Sequence, residues 1–425
     1  MDKAKFTGKI GILVGGGPAP GINGVIHSVT IEAAQHGIEV FGFYEGFKHL
    51  IEGQVVGIPL TIRDVSYIHN QGGSILRTAR ANPTTSEQSL KNCVSTLSGM
   101  GITALVSIGG DDTAYSASRV ARYAQEVMDV NLRSVHVPKT IDNDLPLPGG
   151  IPTFGFETAR ELGSRIVMNL MQDANTARHW FLVLTMGRKA GHLALGIGKS
   201  AGATVTLIPE EWEGQEIRLQ EVLDILLTTI ILRLVNGKPY GVALLAEGIL
   251  EQLCHEDLQV LENVERDEHG HIRLAEINFM DMLKRELQRN LDELGIHQIR
   301  LVKQVLGYEL RSADPVAYDI DYTRSLGEAA VEYLLSGGNN AIITLQQNQI
   351  APIPYDDMID PTTGRTEVRM VNLNSFTYRS AYKFMIRLKS RHAQDRELLE
   401  QMAAQTNLSY DEFIERFGYL LISAT

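Results

Sequence analysis

Residues 138–144 read Pro138-Lys139-Thr140-Ile141-Asp142-Asn143-Asp144 and follow a short apolar run at 134–137. A second apolar run, at 104–108, is followed in the same way by Gly-Gly-Asp-Asp at 109–112. Short apolar runs of this kind are typical of buried strands in a parallel sheet. Ligands of open α/β sheets bind beyond the carboxyl ends of the strands, so both polar segments are predicted to lie at one rim of such a sheet.

The polar residues of this rim indicate the transfer of a phosphoryl group. They comprise four carboxylates, one lysine and one threonine: Asp111, Asp112, Asp142, Asp144, Lys139 and Thr140. Carboxylates cannot hold an anion directly, so they predict Mg²⁺ or a proton to be removed, and the lysine predicts an anion beside them. A metal ion, a general base and a bound phosphate are the components of a phosphoryl-transfer site. Singly, the same residues are also typical of helix caps and turns.

A glycine-rich turn is predicted to bind phosphate at the same rim. Residues 9–14 predict a first strand, and Gly-Gly-Gly-Pro-Ala-Pro-Gly-Ile-Asn-Gly follows at 15–24, ahead of a helical pattern. Glycines let the backbone approach a phosphate closely, and the N-terminus of the helix behind them favours an anion. The turn is neither a dinucleotide fingerprint, because Pro20 replaces the third glycine, nor a Walker loop, because no Gly-Lys-Ser/Thr follows. Most glycine-rich turns only join a strand to a helix.

Alternation of strand-like and helical patterns predicts an α/β fold with a mostly parallel sheet. Strands are predicted near 9–14, 39–44, 104–108 and 134–137, and in a second series after Pro152, at 180–185, 205–208, 241–246, 304–308 and 341–345. Helices are predicted near 23–36, 84–99, 113–128 and 157–172, across the charged region 250–300 and in the tail after 372. The helix at 84–99 begins with a capping-box pattern, Thr84 and Glu87.

Composition excludes several classes of partner. With 39 basic and 51 acidic residues the net charge is 39 − 51 = −12, which argues against nucleic acid or an anionic membrane as a partner. Two cysteines in 425 residues indicate a reducing compartment, and the first residues lack the apolar stretch of a signal peptide. The longest apolar run, 222–235, is too short to span a bilayer. A cytoplasmic protein is expected.

The motifs resemble those of the 6-phosphofructokinases. Gly-Gly-x-x-Ala-Pro-Gly-x-Asn at 15–23, Gly-Gly-Asp at 109–111, Thr-Ile-Asp-Asn-Asp at 140–144 and Met-Gly-Arg at 186–188 occur in the order and spacing of that family, over about residues 8–350. The resemblance implies two Rossmann-like, three-layer domains with mostly parallel sheets. It assigns 1–152 with 310–371 to a phosphoryl-donor domain and 153–309 with 372–425 to a sugar-phosphate domain.

The resemblance also implies a set of site residues. The catalytic residues would be Asp142, Lys139, Asp112, Thr140 and Arg188; the donor would be bound by Gly16, Gly17, Arg80 and Lys139; and Mg²⁺ would be held by Asp111. Fructose 6-phosphate would be bound by Thr140, Ile141, Asp142, Met186, Gly187, Arg188, Glu247, Tyr308 and Arg311. This chain departs from the family at its 6-phosphate contacts. Tyr308 replaces a histidine, His179 replaces an arginine with Arg178 beside it, and Lys303 is the cation nearest to a second missing arginine.

Two further departures indicate diphosphate as the donor. ATP-using members have glycine at the positions of Asp112 and Lys139, and this pair resembles the diphosphate-dependent branch. The Asp112 carboxylate would repel the α-phosphate of a nucleotide, by on the order of 4 kcal/mol for charges about 4 Å apart at intermediate dielectric. Lys139 adds a cation for the leaving phosphate.

Family resemblance further implies a homodimer or homotetramer, because the 6-phosphate site of such enzymes is completed by basic residues of a neighbouring subunit. Arg178 and His179 are the candidates here. Three alternatives remain open: an ATP-dependent 6-phosphofructokinase, an enzyme acting on sedoheptulose 7-phosphate, and a non-catalytic regulatory subunit. A regulatory subunit is disfavoured because Asp111, Asp142 and Asp144 are all present.

Overall fold

The computed structural model describes residues 6–212, 214–259, 279–358 and 367–422. The chain divides into two compact units, the first formed by Met1–Glu161 with Tyr308–Arg369 and the second by Leu162–Gly307 with Met370–Thr425. The first boundary therefore lies beyond the break expected at 152. The assignment of donor and sugar phosphate to separate domains remains a prediction.

Thirteen strands lie within the described residues. They are β1 (Lys9–Val14), β2 (Val40–Phe43), β3 (Gly57–Leu60), β4 (Ile102–Gly109), β5 (Arg133–Pro138), β6 (Trp180–Thr185), β7 (Val205–Leu207), β8 (Gly241–Ala246), β9 (Leu301–Leu306), β10 (Ala341–Ile342), β11 (Leu345–Gln346), β12 (Gln349–Ile350) and β13 (Ile353–Pro354).

The described α-helices number fifteen. They are α1 (Ile22–Gln35), α2 (Ile62–Val65), α3 (Glu87–Gly99), α4 (Asp111–Glu126), α5 (Phe156–Ala177), α6 (His192–Ala201), α7 (Leu219–Val235), α8 (Gly248–Glu251), α9 (His255–Gln259), α10 (Phe279–Glu293), α11 (Tyr308–Arg311), α12 (Ala317–Leu335), α13 (Phe376–Phe384), α14 (Arg396–Ala403) and α15 (Tyr410–Phe417). Within the region 250–300, residues 260–278 lie outside the described part of the chain.

The first unit contains a seven-stranded sheet in the order β13-β10-β5-β4-β1-β2-β3. Its central strands are parallel, and the edge strands β3 and β13 are antiparallel to their neighbours. After β1 the chain goes to β2 on one side, whereas β4 lies on the other side of β1. This reversal of strand order creates a crevice beyond the carboxyl ends of β1 and β4, where open α/β sheets bind ligands.

Both faces of this sheet are covered because side chains of a strand alternate between its faces. Ile10, Ile12 and Val14 of β1 belong to the core under α1 and α12. Leu13, one residue out of phase, belongs to the core under α3 and α4. The result is a three-layer unit, helix on sheet on helix.

The second unit contains a four-stranded, fully parallel sheet in the order β7-β8-β6-β9. One large apolar core joins this sheet to α7, α10, α14 and α15. The predicted α/β class with mostly parallel sheets is thus confirmed. None of the described helices is both long and apolar enough to cross a membrane.

Several local boundaries differ from prediction, among them the helix predicted at 157–172, which is Phe156–Ala177. The helix predicted at 84–99 begins at Glu87, because Ser86 caps it by accepting a hydrogen bond from the Ser89 N–H at 3.1 Å. The predicted Thr84–Glu87 capping box is therefore wrong, and Thr84 instead bonds to the Asn82 side chain. The strand expected at 304–308 is Leu301–Leu306, and the one at 341–345 ends at Ile342 and belongs to the first sheet.

Candidate active site

The glycine turn after β1 is held by a neighbouring segment of the same unit. Gly16 has a φ of +78°, a left-handed conformation that favours glycine, and its N–H donates to the Ala79 carbonyl at 3.1 Å. The Thr78 hydroxyl donates to the Gly16 carbonyl. The segment 78–80 therefore runs alongside the turn and brings Arg80 to it.

Two cations lie against Gly17. The guanidinium of Arg311 occupies the space that a Cβ atom at residue 17 would need, so a larger residue there would displace the guanidinium. The Lys139 ammonium donates to the Gly17 carbonyl. A Cβ placed on Gly16 would lie 3.6 Å from the same ammonium. The turn and the end of β5 are thus joined around Lys139, with Arg311 closing one side.

Lys139 is a buried lysine among charged groups, and its side chain is only 5% exposed. The pKa of Lys139 is lowered to about 8, first by burial and then by the positive charge of Arg311 and Arg80. Asp142 and Asp144 act in the opposite direction. A buried ammonium crowded by guanidinium groups is stabilised when an anion binds, since the anion offsets both the desolvation and the repulsion.

Asp111 and Asp112 form the first turn of α4, directly after Gly110. Acidic side chains are favourable there because the helix dipole places positive charge at its N-terminus. The Asp111 carboxylate also accepts the Asp112 N–H at 3.0 Å. Both residues therefore have a structural role at the helix end in addition to any catalytic one. Asp112 is the more exposed of the two.

Asp111 is the carboxylate that is expected to hold a divalent cation. Within the described ranges, no group of three or more His, Cys, Asp and Glu side chains is arranged to hold a metal. Mg²⁺ does not require such a cage, because it is commonly held by one or two carboxylates together with water and substrate phosphates. The donor set fits a cation that arrives with a phosphate ligand.

A buried, neutral histidine, His136, lies behind the two polar segments of the site. His136 Nε2 lies 2.9 Å from the Gly109 carbonyl and therefore donates to it, and Nδ1 accepts from the Ser107 hydroxyl at 2.8 Å. Burial lowers the pKa of His136 to about 3, so the ring stays uncharged. The Gly109 carbonyl also accepts the Lys139 N–H at 2.7 Å. These bonds join the ends of β4 and β5, which carry the two polar segments.

The loop after β5 alternates between buried and partly exposed residues. Ile141 and Asn143 are buried, whereas Asp142 and Asp144 are partly exposed. The Asp142 N–H donates to the Thr140 hydroxyl at 3.1 Å, which fixes the backbone of the loop on itself. The loop thus turns both carboxylates away from the apolar core.

In the second unit, the loops after β6 and β8 lie side by side. The Gly248 N–H donates to the Gly187 carbonyl at 3.0 Å, and the Glu247 N–H donates to the Thr185 carbonyl at 2.9 Å. A Cβ on Gly248 would lie 2.6 Å from the Arg188 carbonyl, so this contact depends on glycine. The segment Met186, Gly187 and Arg188 is therefore brought next to Glu247, as the strand order requires.

The positions at which this chain differs from the family pattern have different surroundings. Tyr308 begins α11 and is 66% exposed, with its ring 5.7 Å from the Arg311 guanidinium. His179 is 7% exposed and packs on Phe181, with Nε2 3.2 Å from Asp173. A side chain so enclosed in its own unit is poorly suited to reach a neighbouring subunit. Arg178 is exposed.

Lys303, the third departure, lies on β9 and pairs with Asp281 at 2.5 Å. Its charge is thus matched by a carboxylate of its own unit.

The structure therefore gathers the predicted residues in two groups. The first unit holds Gly16, Gly17, Arg80, Asp111, Asp112, Lys139, Thr140, Ile141, Asp142, Tyr308 and Arg311, and the second holds Met186, Gly187, Arg188 and Glu247. The Arg311 guanidinium lies at the glycine turn, and its role at the sugar phosphate remains a prediction. Thr78, Thr153 and Arg369 belong to no local sequence motif and are recognisable only from their contacts in the structure.

Comparison with known proteins gives a consistent result. A sequence model described as phosphofructokinase matches residues 9–334. The chain is 50% identical over 417 residues to a pyrophosphate–fructose 6-phosphate 1-phosphotransferase from Thermotoga maritima, covering 97% of this chain and 98% of that protein. A protein of the same name from Naegleria fowleri is 47% identical over 422 residues, covering 97% and 95%.

Among solved structures, a pyrophosphate-dependent phosphofructokinase from Nitrosospira multiformis superposes with a TM-score of 0.68. The alignment covers 94% of this chain and 92% of that one at 17% identity. At that identity the likeness concerns the fold alone.

Proposed function

This chain belongs to the phosphofructokinase family, and we propose that it transfers a phosphoryl group from diphosphate to the 1-hydroxyl of fructose 6-phosphate. The products are fructose 1,6-bisphosphate and phosphate. Because diphosphate is a weaker donor than ATP, the reaction is readily reversible, and it serves glycolysis or gluconeogenesis. A coupled assay with diphosphate and ATP as alternative donors tests the assignment.

One observation carries this proposal, the burial of Lys139 at the glycine turn. Its ammonium donates to Gly17 and lies in the field of Arg311 and Arg80. A small, highly charged donor such as diphosphate fits a pocket of closely spaced cations, because each of its phosphates needs its own charge-assisted hydrogen bonds. Asp112, at the start of α4, disfavours the longer nucleotide by charge.

Asp142 is the proposed general base. The 1-hydroxyl of fructose 6-phosphate gives its proton to Asp142 while its oxygen attacks the nearer phosphorus of diphosphate. The new O–P bond forms as the bridging P–O bond breaks, and the bridging oxygen leaves with the phosphate. Lys139 and Thr140 hold the charge that spreads over the transferred group and the leaving phosphate. Arg311, which lies beside Lys139, adds a second cation there.

Mg²⁺ is the proposed cofactor; Asp111 would hold it, and Asp144 would orient water bound to it. When bound, it neutralises charge on the phosphate oxygens of the donor. The sugar phosphate is assigned to Met186, Gly187, Arg188 and Glu247. A carboxylate such as Glu247 accepts hydrogen bonds from sugar hydroxyls, and Arg188 supplies a cation for a phosphate. Tyr308 adds an O–H donor.

Lys139 predicts an alkaline limb in the pH profile. Its pKa of about 8 in the free enzyme means that its positive charge is present below that pH and is lost above it. We therefore expect kcat/KM for diphosphate to fall by about tenfold per pH unit above roughly pH 8. Bound diphosphate favours the charged form of Lys139 and so raises its pKa. The decrease in kcat should therefore begin at a higher pH than the decrease in kcat/KM.

Lys139→Arg is the control for this pH dependence, because arginine stays charged throughout this range. The ratio of wild-type to variant kcat/KM cancels the titration of the substrates themselves. A limb that persists unchanged in the arginine variant would contradict the assignment to Lys139.

We also expect a homodimer or homotetramer in solution, measured by light scattering at assay concentration. Arg178 is the better candidate for a side chain contributed to a neighbour, because it is exposed while His179 is buried. Arg178→Ala should raise KM for fructose 6-phosphate, whereas Arg396→Ala, an exposed arginine paired with Glu400 of its own helix, should not. A fully active monomer would contradict the proposal.

A further inference from the structure

The loop that carries the proposed base contains a residue in an unfavourable conformation. Asn143, between Asp142 and Asp144, has a φ of +57°. Left-handed backbone is tolerated by asparagine better than by most residues, but it still costs energy and persists only when the surroundings hold it. The contacts of the surrounding residues must therefore hold this loop in place.

Arg369 makes the largest set of those contacts. Its guanidinium donates to the Asn143 carbonyl at 3.0 and 3.1 Å, and also to the Asn143 side-chain oxygen. The same group donates to the Ile151 carbonyl at 2.8 Å and, more weakly, to the Leu147 carbonyl at 3.4 Å. The backbone N–H of Arg369 donates to the Asp144 carbonyl at 2.7 Å. Arg369 thus binds the loop at Asn143 and Asp144 and also binds the segment that follows it.

Thr153, in the segment that follows the loop, also holds the loop in place. Its side chain donates to the Thr140 carbonyl at 2.7 Å, and its N–H donates to the Asn143 side-chain oxygen at 3.1 Å. The Asp142 N–H is itself bonded to the Thr140 hydroxyl. Asp142 therefore lies between Thr140 and Asn143, which are both hydrogen-bonded to Thr153.

Only arginine suits the position of Arg369. The planar guanidinium carries five N–H groups in a fixed fork, and here it reaches oxygens of three different residues. A lysine has its three N–H groups on a single atom and cannot reach the same set. Because these acceptors are backbone carbonyls and an amide, Arg369 fixes the backbone of the loop.

We propose that Arg369 is a positioning residue for Asp142, acting through Asn143 and the backbone of the loop. This inference rests on the proposed function, in which Asp142 removes the proton of the acceptor hydroxyl. Loss of the clamp lets the loop relax from its left-handed turn and moves the carboxylate from its place beside the acceptor. A displacement of about 1 Å can lower a rate by roughly 100-fold.

The experiment measures kcat and KM of Arg369→Ala and Arg369→Lys with diphosphate and fructose 6-phosphate. We expect Arg369→Ala to lower kcat by about 10- to 100-fold, with KM for diphosphate changed much less. Arg369→Lys should recover only part of the loss. Methylguanidinium added to Arg369→Ala should restore activity, whereas methylammonium should not, because only the former reproduces the planar donors.

Arg133→Ala is the matched control. Arg133 is also a partly buried arginine of the first unit that donates to a carbonyl, that of Leu334 at 2.7 Å, but it lies at the opposite end of β5. It should leave kcat unchanged and show no rescue. An equal loss of kcat in Arg133→Ala and Arg369→Ala, or wild-type kcat in Arg369→Ala, would overturn the proposal.

A double variant separates this inference from the assignment of the base. If Arg369 acts through Asp142, adding Arg369→Ala to Asp142→Asn should lower kcat little further, whereas full multiplication of the two losses would overturn the proposal. An active Asp142→Asn protein would instead refute the base, whatever Arg369 does. If Arg369→Ala does not fold, Thr153→Val, which keeps the volume and removes the bond to Thr140, must lower kcat for the clamp to stand.

Discussion

Asp142→Asn is expected to fold normally and to lose roughly 10²- to 10⁴-fold in kcat, the usual contribution of a general base. Asparagine matches the size of aspartate but cannot take the proton of the acceptor hydroxyl. The backbone bond from residue 142 to the Thr140 hydroxyl is unaffected by the change, so the loop should keep its shape. KM for fructose 6-phosphate should change little, because the contact surface is nearly the same.

Steady-state kinetics measures the loss of kcat, and a thermal melt checks that the variant folds. Asp321→Asn, an exposed aspartate of α12 remote from the loop in sequence, provides the control and should retain wild-type kcat. If Asp142→Asn kept more than about a tenth of the wild-type turnover, the loss would be too small for a general base and the assignment would be wrong.

The second large effect concerns the phosphoryl donor. The wild-type protein is expected to use diphosphate and to show little or no activity with ATP. Asp112→Gly should allow ATP to be used, at the cost of diphosphate turnover, because it removes the carboxylate from the path of the nucleotide. Lys139→Gly should damage the diphosphate reaction without giving ATP use, since Asp112 still repels the nucleotide.

Two further variants separate charge from volume. Asp112→Asn removes the charge and keeps the size, so ATP use by this variant would identify repulsion as the cause. Lys139→Met keeps most of the buried volume, which distinguishes loss of the ammonium from collapse of the cavity that glycine would leave. Wild-type activity with ATP equal to or above that with diphosphate would refute the proposed donor.

Much of the fold could be predicted because its central strands are local features. The apolar runs at 9–14, 104–108 and 134–137 became β1, β4 and β5, since a strand buried on both faces is apolar throughout. Very short strands were harder to predict. β10 has two residues and is defined by pairing with β5, a partner far away in sequence. A pairing of that kind leaves no periodicity in so short a segment.

The start of α3 was mispredicted for a different reason. Thr84 and Ser86 are both good N-cap residues, and sequence pattern alone favoured Thr84 because Glu87 follows three residues later. In the structure, Asn82 takes the Thr84 N–H and hydroxyl, which leaves Ser86 to cap the helix. Competition between neighbouring side chains for the same N–H groups is settled only by geometry.

By itself, the sequence determined which residues end the central strands, and hence that Asp111, Lys139 and Asp142 share one rim. Such residues follow their strands directly, so chain order is sufficient. Only the tertiary structure decided that Arg311 lies against Gly17, that Lys139 is buried, and that Arg369 clamps the loop of Asp142. These contacts join residues far apart in the chain, and the pKa of Lys139 depends on desolvation and on charges that only folding brings together.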